Sequence, residues 1–243
     1  MRPPKVIDRG WRLREIGFAE GVTQSRMLRL APDRLFVPYT RTMLGALLLR
    51  PDPRRIGIIG LGGGSQVKWC HRHLPAACIE VVEINPHVIA MRRRFRIPDD
   101  DARLTVIEGD GARFVQQCPG RYDLLLVDGY DEQGIPAALA TQGFHDACHA
   151  ALAPGGAMAS NLYAPELAPH LARLRRSFGK RLLLLPEPTM RNQVAFGWHA
   201  GTSWPATFDP SRARAGVSRR GARELHDVFV RVADALRQQS PRD

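Results

Sequence analysis

IGIIGLGGGSQVKW, residues Ile56 to Trp69, runs from an apolar stretch into four glycines within five positions, Gly60, Gly62, Gly63 and Gly64, and on into a helical pattern. Strand, glycine turn and helix in this order open a βαβ unit, and the glycines let the chain turn tightly and let a ligand approach the backbone. The turn has no Lys-Ser/Thr pair of the kind that cradles a diphosphate, so it suits a nucleoside without phosphates.

The text around it repeats the alternation. Ile56–Ile59, Cys78–Val82, Leu104–Ile107, Tyr122–Val127, Gly156–Leu162 and Leu182–Leu185 read as strands, with "RNQVAFGW" as a last one and helical stretches between. Strands that are apolar throughout, such as "LLLV", belong in a sheet covered on both faces. The expected fold is therefore α/β, a doubly wound and mostly parallel sheet. Before it, residues 1–37 alternate loosely and predict a small β-appendage turning near Gly21; residues 38–243 form the main domain. "PYTRTMLGALLLR" from Pro38 predicts a helix with proline in its first turn. Ala222, Leu225, Val228, Phe229, Val232, Ala233 and Leu236 predict a terminal amphipathic helix.

Bulk properties narrow the class. A hydrophobic fraction of 44% and a charged fraction of 24% are those of a folded domain. The apolar runs fall short of the roughly 20 residues that cross a bilayer, which argues against a membrane span. "MRPPKVIDRG" has no apolar leader and the four cysteines show no paired spacing, so a cytoplasmic setting is expected. The net charge of +11 is almost all scattered arginine without interleaved aromatics, which argues for a solvated basic surface and against nucleic acid.

Three loops at one sheet edge carry the candidate nucleoside site. The second strand ends in "VVEINP", where Glu83 can accept hydrogen bonds from both ribose hydroxyls. The third ends in "IEGDGARF", where Asp110 can accept from an adenine amine beside Gly111, or cap the helix that starts at Ala112. S-adenosylmethionine or a derivative is the natural ligand. The fourth strand, "YDLLLVDGYDEQGIP", closes on Asp128, Asp131 and Glu132. Clustered acids raise one another's pKa unless a cation lies between them, so a cationic substrate is expected.

From the glycine turn through "VVEIN", "GDG", "YDLLLVDGYD" with its D-x-x-D, and the "YTRTM" helix preceded by "VTQS", roughly Gln24 to Trp198, the chain resembles the spermidine synthase family of polyamine aminopropyltransferases. The resemblance implies a Rossmann-like methyltransferase sheet with an N-terminal β-hairpin appendage, often dimeric. It also implies aminopropyl transfer from decarboxylated S-adenosylmethionine to an amine, with no metal. Asp128 matches the residue that activates the attacking amine, and Asp131 a diamine-binding acid. Gln24, Tyr39 and Tyr130 match substrate contacts, and Gly60, Gly62, Gly63, Gly64, Glu83, Ile84, Asp110, Gly111 and Asp128 line the donor.

The match departs from the family at the turn itself. Where the family has an acid that binds the donor's amine, this chain has Gly63, or Ser65 in the alternative register, and Arg41 replaces an acid in the helix that begins at Tyr39. A methyltransferase using intact S-adenosylmethionine, or a non-catalytic binder of nucleosides or polyamines, is the alternative reading. "HDACH" sets His145 and His149 one helical turn apart in zinc-like spacing, but the following topology places that helix against the sheet, away from the ligand edge. "CHRH", Cys70 to His73, reads as the exposed end of the first helix.

Overall fold

A computed structural model describes residues 3–19, 22–163, 167–199, 210–214 and 216–239. Three strands, β1 (Lys5–Arg9), β2 (Leu13–Ala19) and β3 (Val22–Leu28), make a small antiparallel sheet in the order β1-β2-β3. The main sheet holds β4 (Arg55–Ile59), β5 (Cys78–Glu83), β6 (Leu104–Glu108), β7 (Tyr122–Val127), β8 (Leu152–Tyr163), β9 (Leu182–Pro186) and β10 (Asn192–Trp198). Their order is β6-β5-β4-β7-β8-β10-β9. The first five strands are parallel, and β10 runs antiparallel to both β8 and β9. The chain order reverses between β4 and β7, and at such a switch point the loops splay apart to leave a crevice.

Alternate residues of the central strands feed two cores, one on each face of the sheet. Ile56, Ile58, Leu124 and Leu126 pack on one side, with Met43, Val67, Trp69, Phe229 and Val232. Leu125, Val127, Met158 and Leu162 pack on the other, with Phe144, Cys148, Leu174 and Phe178. The helices that cover the first face include α1 (Pro38–Met43), α2 (Ser65–His73), α3 (Pro86–Ile89) and, near the C-terminus, α7 (Pro210–Arg214), α8 (Arg219–Glu224) and α9 (His226–Gln239). On the second face lie α4 (Gly111–Gln116), α5 (Gln142–Ala151) and α6 (Leu167–Phe178). Ile16 and Met27 of the small sheet join the first core, so the appendage is packed onto the body.

Several elements differ from expectation. The helix beginning at Pro38 ends at Met43 and continues as a 3₁₀ turn over Leu44–Leu48. Gly45 lies in that turn, and a Cβ there would sit 2.7 Å from a Val232 methyl, so close contact with α9 sets its shape. The terminal helix is two helices with a break at Leu225. Just before the break, Glu224 turns inward to accept from the Leu35 amide and the Trp69 indole. Strand β8 starts at Leu152, four residues early, with Gly155 at φ 71 and an irregular register against β7 before the regular pairing resumes. The end of α2 is only partly exposed: Arg72 faces out, but Cys70 and His73 are buried, and His73 Nδ1 shares a 2.6 Å hydrogen bond with Ser218 Oγ from the C-terminal segment that covers it. The expected turn at Gly21 lies outside the described residues. Among the described residues no helix is long and apolar enough to cross a membrane.

Candidate active site

The glycine turn follows β4 and leads into α2. Gly60, Gly62 and Gly64 have φ of 93°, 49° and 65°, a region that side-chain-bearing residues rarely enter. At Gly60 space is also limiting, since a Cβ would lie 2.4 Å from the Asp128 carbonyl oxygen. The two loops that flank the switch point are thus in backbone contact. Gly63 has an ordinary φ, but a Cβ there would meet Ser25 Oγ at 2.6 Å, so β3 of the appendage occupies the space above it. Beneath the turn Lys68 Nζ donates to the carbonyls of Gly63 and Phe95, each at 2.8 Å. Burial pulls this ammonium down to about 7.

Glu83 ends β5 next to the turn. One carboxylate oxygen accepts from the Leu61 amide and the other from the Asn85 amide, both at 2.9 Å. These bonds lock the side chain at the rim of the turn, and each oxygen keeps a lone pair for a further donor. Ile84, the next residue, is 48% exposed, an apolar face left open beside the acid. Asp110 caps α4, its Oδ1 accepting from the Ala112 amide at 2.7 Å. The cap reading of Asp110 holds in the structure, and its second oxygen makes none of these cap bonds. A Cβ at Gly111 would lie 2.5 Å from an Ile59 methyl, so only glycine fits the floor between β4 and β6.

Across the switch point, Asp128 ends β7 and is held by two donors from distant parts of the chain. Tyr39 Oη of α1 bonds Oδ2 at 3.1 Å, and Asn161 Nδ2 of β8 bonds Oδ1 at 2.9 Å. Asp128 keeps part of its surface open, yet the protein packed around it pushes its carboxyl up to about 6, with the Asn161 and Tyr39 bonds acting in the opposite sense. Burial, then the Asp128 charge, raises the Tyr39 phenol well above its ordinary value, so it stays a hydrogen-bond donor. Tyr130 Oη donates to the Asn161 carbonyl at 3.0 Å, which ties the loop after β7 to β8.

Not every expected residue joins this cluster. Asp131 is exposed, and its carboxylate closes a turn by accepting from the Gln133 amide at 2.7 Å. Gln24 lies in β3, and its side chain is outside the described positions. His145 and His149 are split: His145 is buried against Phe144 and His170, and His149 meets Phe178 edge to face and lies against the His199 ring. His145 is nearer the ligand edge than expected, since it lines a small cavity with Gly129, Ser160 and Asn161.

The residues that sequence reading missed are Asn161, Asn192, Ser25, Lys68 and Glu187. Asn192 Nδ2 of β10 donates to Asn161 Oδ1 at 3.0 Å, and the buried Glu187 accepts from Thr42 Oγ1 of α1 at 2.6 Å. One signal was available. Asn161 is a buried polar residue inside an apolar strand, which is costly unless it is hydrogen-bonded.

Residues 38–182 match the spermine/spermidine synthase domain. The chain belongs to the spermine/spermidine synthase family. A polyamine aminopropyltransferase of Chromobacterium violaceum is 34% identical over 210 residues, which cover 84% of this chain and 80% of that protein. Another, from Neisseria meningitidis, is 33% identical over 202 residues, covering 82% and 77%. Among solved structures, a spermidine synthase in complex with the transition-state analogue AdoDATO has a TM-score of 0.67 at 19% identity, covering 96% of this chain and 88% of that one. Human methyltransferase-like protein 13 in complex with SAH has a TM-score of 0.62 at 23% identity, covering 85% and 95%. These two likenesses are of fold. The family's sheet is thus one shared with methyltransferases.

Proposed function

We propose that this family member is a polyamine aminopropyltransferase that moves an aminopropyl group from decarboxylated S-adenosylmethionine to an amine. The observation that carries the reading is the Asp128 carboxylate at the carboxyl end of β7, fixed by Tyr39 and Asn161 and in backbone contact with the glycine turn. Glu83 and Asp110 would take the ribose and the adenine amine, with Ile84 and Gly111 bounding the ring. The amine nitrogen would sit against Asp128.

In this reading the amine first loses a proton to reach its nucleophilic form, and Asp128 accepts or orients that proton. The nitrogen lone pair then attacks the methylene carbon beside the sulfonium from the side opposite sulfur. A C–N bond forms, the C–S bond breaks, and its electron pair leaves on sulfur as a neutral thioether. The protein supplies alignment, since holding both reactants in line removes most of the entropic barrier to their meeting. Asp131 and Tyr130 belong to the amine side of this reading, with Gln24 assigned there by resemblance. A homodimer is part of it too, supported by the exposed Trp11 and Leu30 on the appendage.

One observation favours a second reading. Gly63 and its neighbour Ser25 put no charge above the turn, so the carboxylate of intact S-adenosylmethionine would meet no repelling acid there, as methyl transfer requires. Calorimetric titration with decarboxylated S-adenosylmethionine, intact S-adenosylmethionine and methylthioadenosine, followed by mass spectrometry of amines incubated with each donor, tests both. An amine heavier by an aminopropyl group supports the first reading. A methylated amine replaces it with the second, and ligand binding without either product leaves a binding protein.

A further inference from the structure

Asn161 and Asn192 are diagonal neighbours on one face of the β8–β10 ladder, because Val194 pairs with Asn161 and Asn192 with Tyr163. Asn161 is buried, and its side-chain amide is engaged at both ends: Nδ2 donates to Asp128 Oδ1 and Oδ1 accepts from Asn192 Nδ2. An ionised carboxylate only accepts, so it requires the N–H end of Asn161. Turning the Asn161 amide over would set its oxygen against Asp128 and its N–H₂ against the N–H₂ of Asn192. That arrangement is tolerable only if Asp128 carries a proton and Asn192 turns as well.

We infer that Asn192, acting through Asn161, is a positioning residue that holds Asp128 as an acceptor-only carboxylate aimed at the incoming amine. The residue sits one hydrogen bond away from the acid and touches neither reactant. Its effect on turnover rests on the reading of Asp128 given above, whereas its effect on the Asp128 proton does not.

The groups around Asp128 leave room for such control. From α1 it faces Tyr39, and Tyr130 lies next in its own loop, both phenols. Asp131 and Glu132 follow in that loop and are exposed. From β8 and β10 it faces the two neutral amides. Glu187 is bonded to Thr42 and lies 3.8 Å from Arg231. Across the sheet, His145 and His170 line the small cavity that reaches Asn161, and burial pulls His145 down to about 4, which leaves it neutral near pH 6. No lysine or arginine is among these immediate partners of Asp128, so its carboxylate form is favoured by hydrogen bonds, from Asn161 first and then from Tyr39.

The test follows the Asp128 carboxyl by ¹³C NMR in the full chain without ligand, the resonance being assigned by its loss in Asp128→Asn. In Asn192→Leu, which removes the donor without adding charge, the midpoint should rise by about 0.5 to 1 pH unit. In the isosteric Asn192→Asp, which demands the opposite amide orientation and adds a charge, it should rise further. Asn192→Ser, which keeps a donor, should restore most of the wild-type value. With an active donor and amine pair, the acid limb of kcat/KM should move by the same amount and the rates should converge above pH 8. A midpoint unchanged in a folded Asn192→Leu overturns the inference. If that variant does not fold, an unchanged midpoint in Asn192→Asp does so. The titration needs no substrate, so absence of aminopropyl turnover would overturn the functional reading alone.

Discussion

The two halves of the cleft are assembled on different principles. On the side proposed for the nucleoside, Gly60–Gly64, Glu83 and Asp110 lie at or just after the ends of the parallel strands β4, β5 and β6, and the two acids bond to backbone amides a few residues away or in the next loop. On the side proposed for the amine, Asp128 is held by Tyr39 from before the main sheet and by Asn161 from β8, and Asn161 is held in turn by Asn192 from β10. The first half is local and relies on backbone, so it survives wherever the strand ends survive. The second depends on the whole fold closing correctly, and it contains a carboxyl lifted to about 6. Binding of the nucleoside and chemistry on the amine should therefore separate cleanly under mutation.

The largest separation is expected at Asp128. Asp128→Asn keeps the size and a hydrogen-bonding partner for both neighbours, and it should lower the aminopropyl transfer rate by about 10² to 10⁴-fold, the usual contribution of a positioned acid or base. Methylthioadenosine should still bind with wild-type affinity by calorimetry. If both quantities fall together, the two halves are one unit and the comparison fails.

Glu83→Ala probes the other half. Loss of the acid strands the Leu61 and Asn85 amides as well as any ribose hydroxyl, and adenosyl ligands should bind more weakly by about 1 to 3 kcal/mol. The residual rate at saturating donor should stay within severalfold of wild type. An unchanged dissociation constant would remove Glu83 from the nucleoside site.

A smaller effect follows from the lifted carboxyl. Asp128 has an ordinary value of 3.8 in the unfolded chain and about 6 in the folded one, so between these values the native state holds the proton that the unfolded state has lost. Stability contributed by the protonated form is therefore full below pH 4 and lost as pH rises through 6. The melting temperature of Asp128→Asn minus that of wild type should climb by a few degrees across that window and then level off. Transfer activity should move the other way, rising as the carboxylate forms. A flat melting difference from pH 4 to pH 7 would mean that Asp128 is not withdrawn from water.

The same contrast explains what was legible in the sequence. Period and punctuation found every strand of the main sheet, because apolar runs bounded by glycine, proline and asparagine leave few other options. The loops proposed for the nucleoside stand out for a related reason: strand ends are easy to locate, and an acid at one is conspicuous. The Asn161–Asn192 pair does not, because it depends on β10 inserting between β8 and β9, an order that local pattern does not carry. The break at Leu225 escaped notice because Leu225 itself is fully buried, so the apolar periodicity runs on across it. Asp131 shows the limit of local reading. Its carboxylate accepts from the Gln133 amide in its own turn, a local contact that proximity to Asp128 in sequence does not reveal.

The smallest effect concerns the neutral turn at the border of the two halves. Restoring an acid as Gly63→Asp alone should disturb the protein, since the new Cβ would lie 2.6 Å from Ser25 Oγ and 3.1 Å from Phe95. Ser25→Gly removes the first obstacle, so the double variant is the one to measure. In a cleft of intermediate dielectric, an acid about 4 Å from the donor's ammonium contributes a few kcal/mol before water and the Lys68 cation under the turn reduce it. A shift of roughly tenfold in the ratio of dissociation constants for intact and decarboxylated S-adenosylmethionine is expected, toward the decarboxylated donor, with methylthioadenosine unaffected because it lacks the tail. Ser25→Gly by itself should leave the ratio where it is. Should the wild type already prefer the decarboxylated donor a thousandfold, selectivity lies elsewhere, and Asp131 and Glu132 on the amine side become the acids to test. The boundary between the halves would then run through the donor's tail.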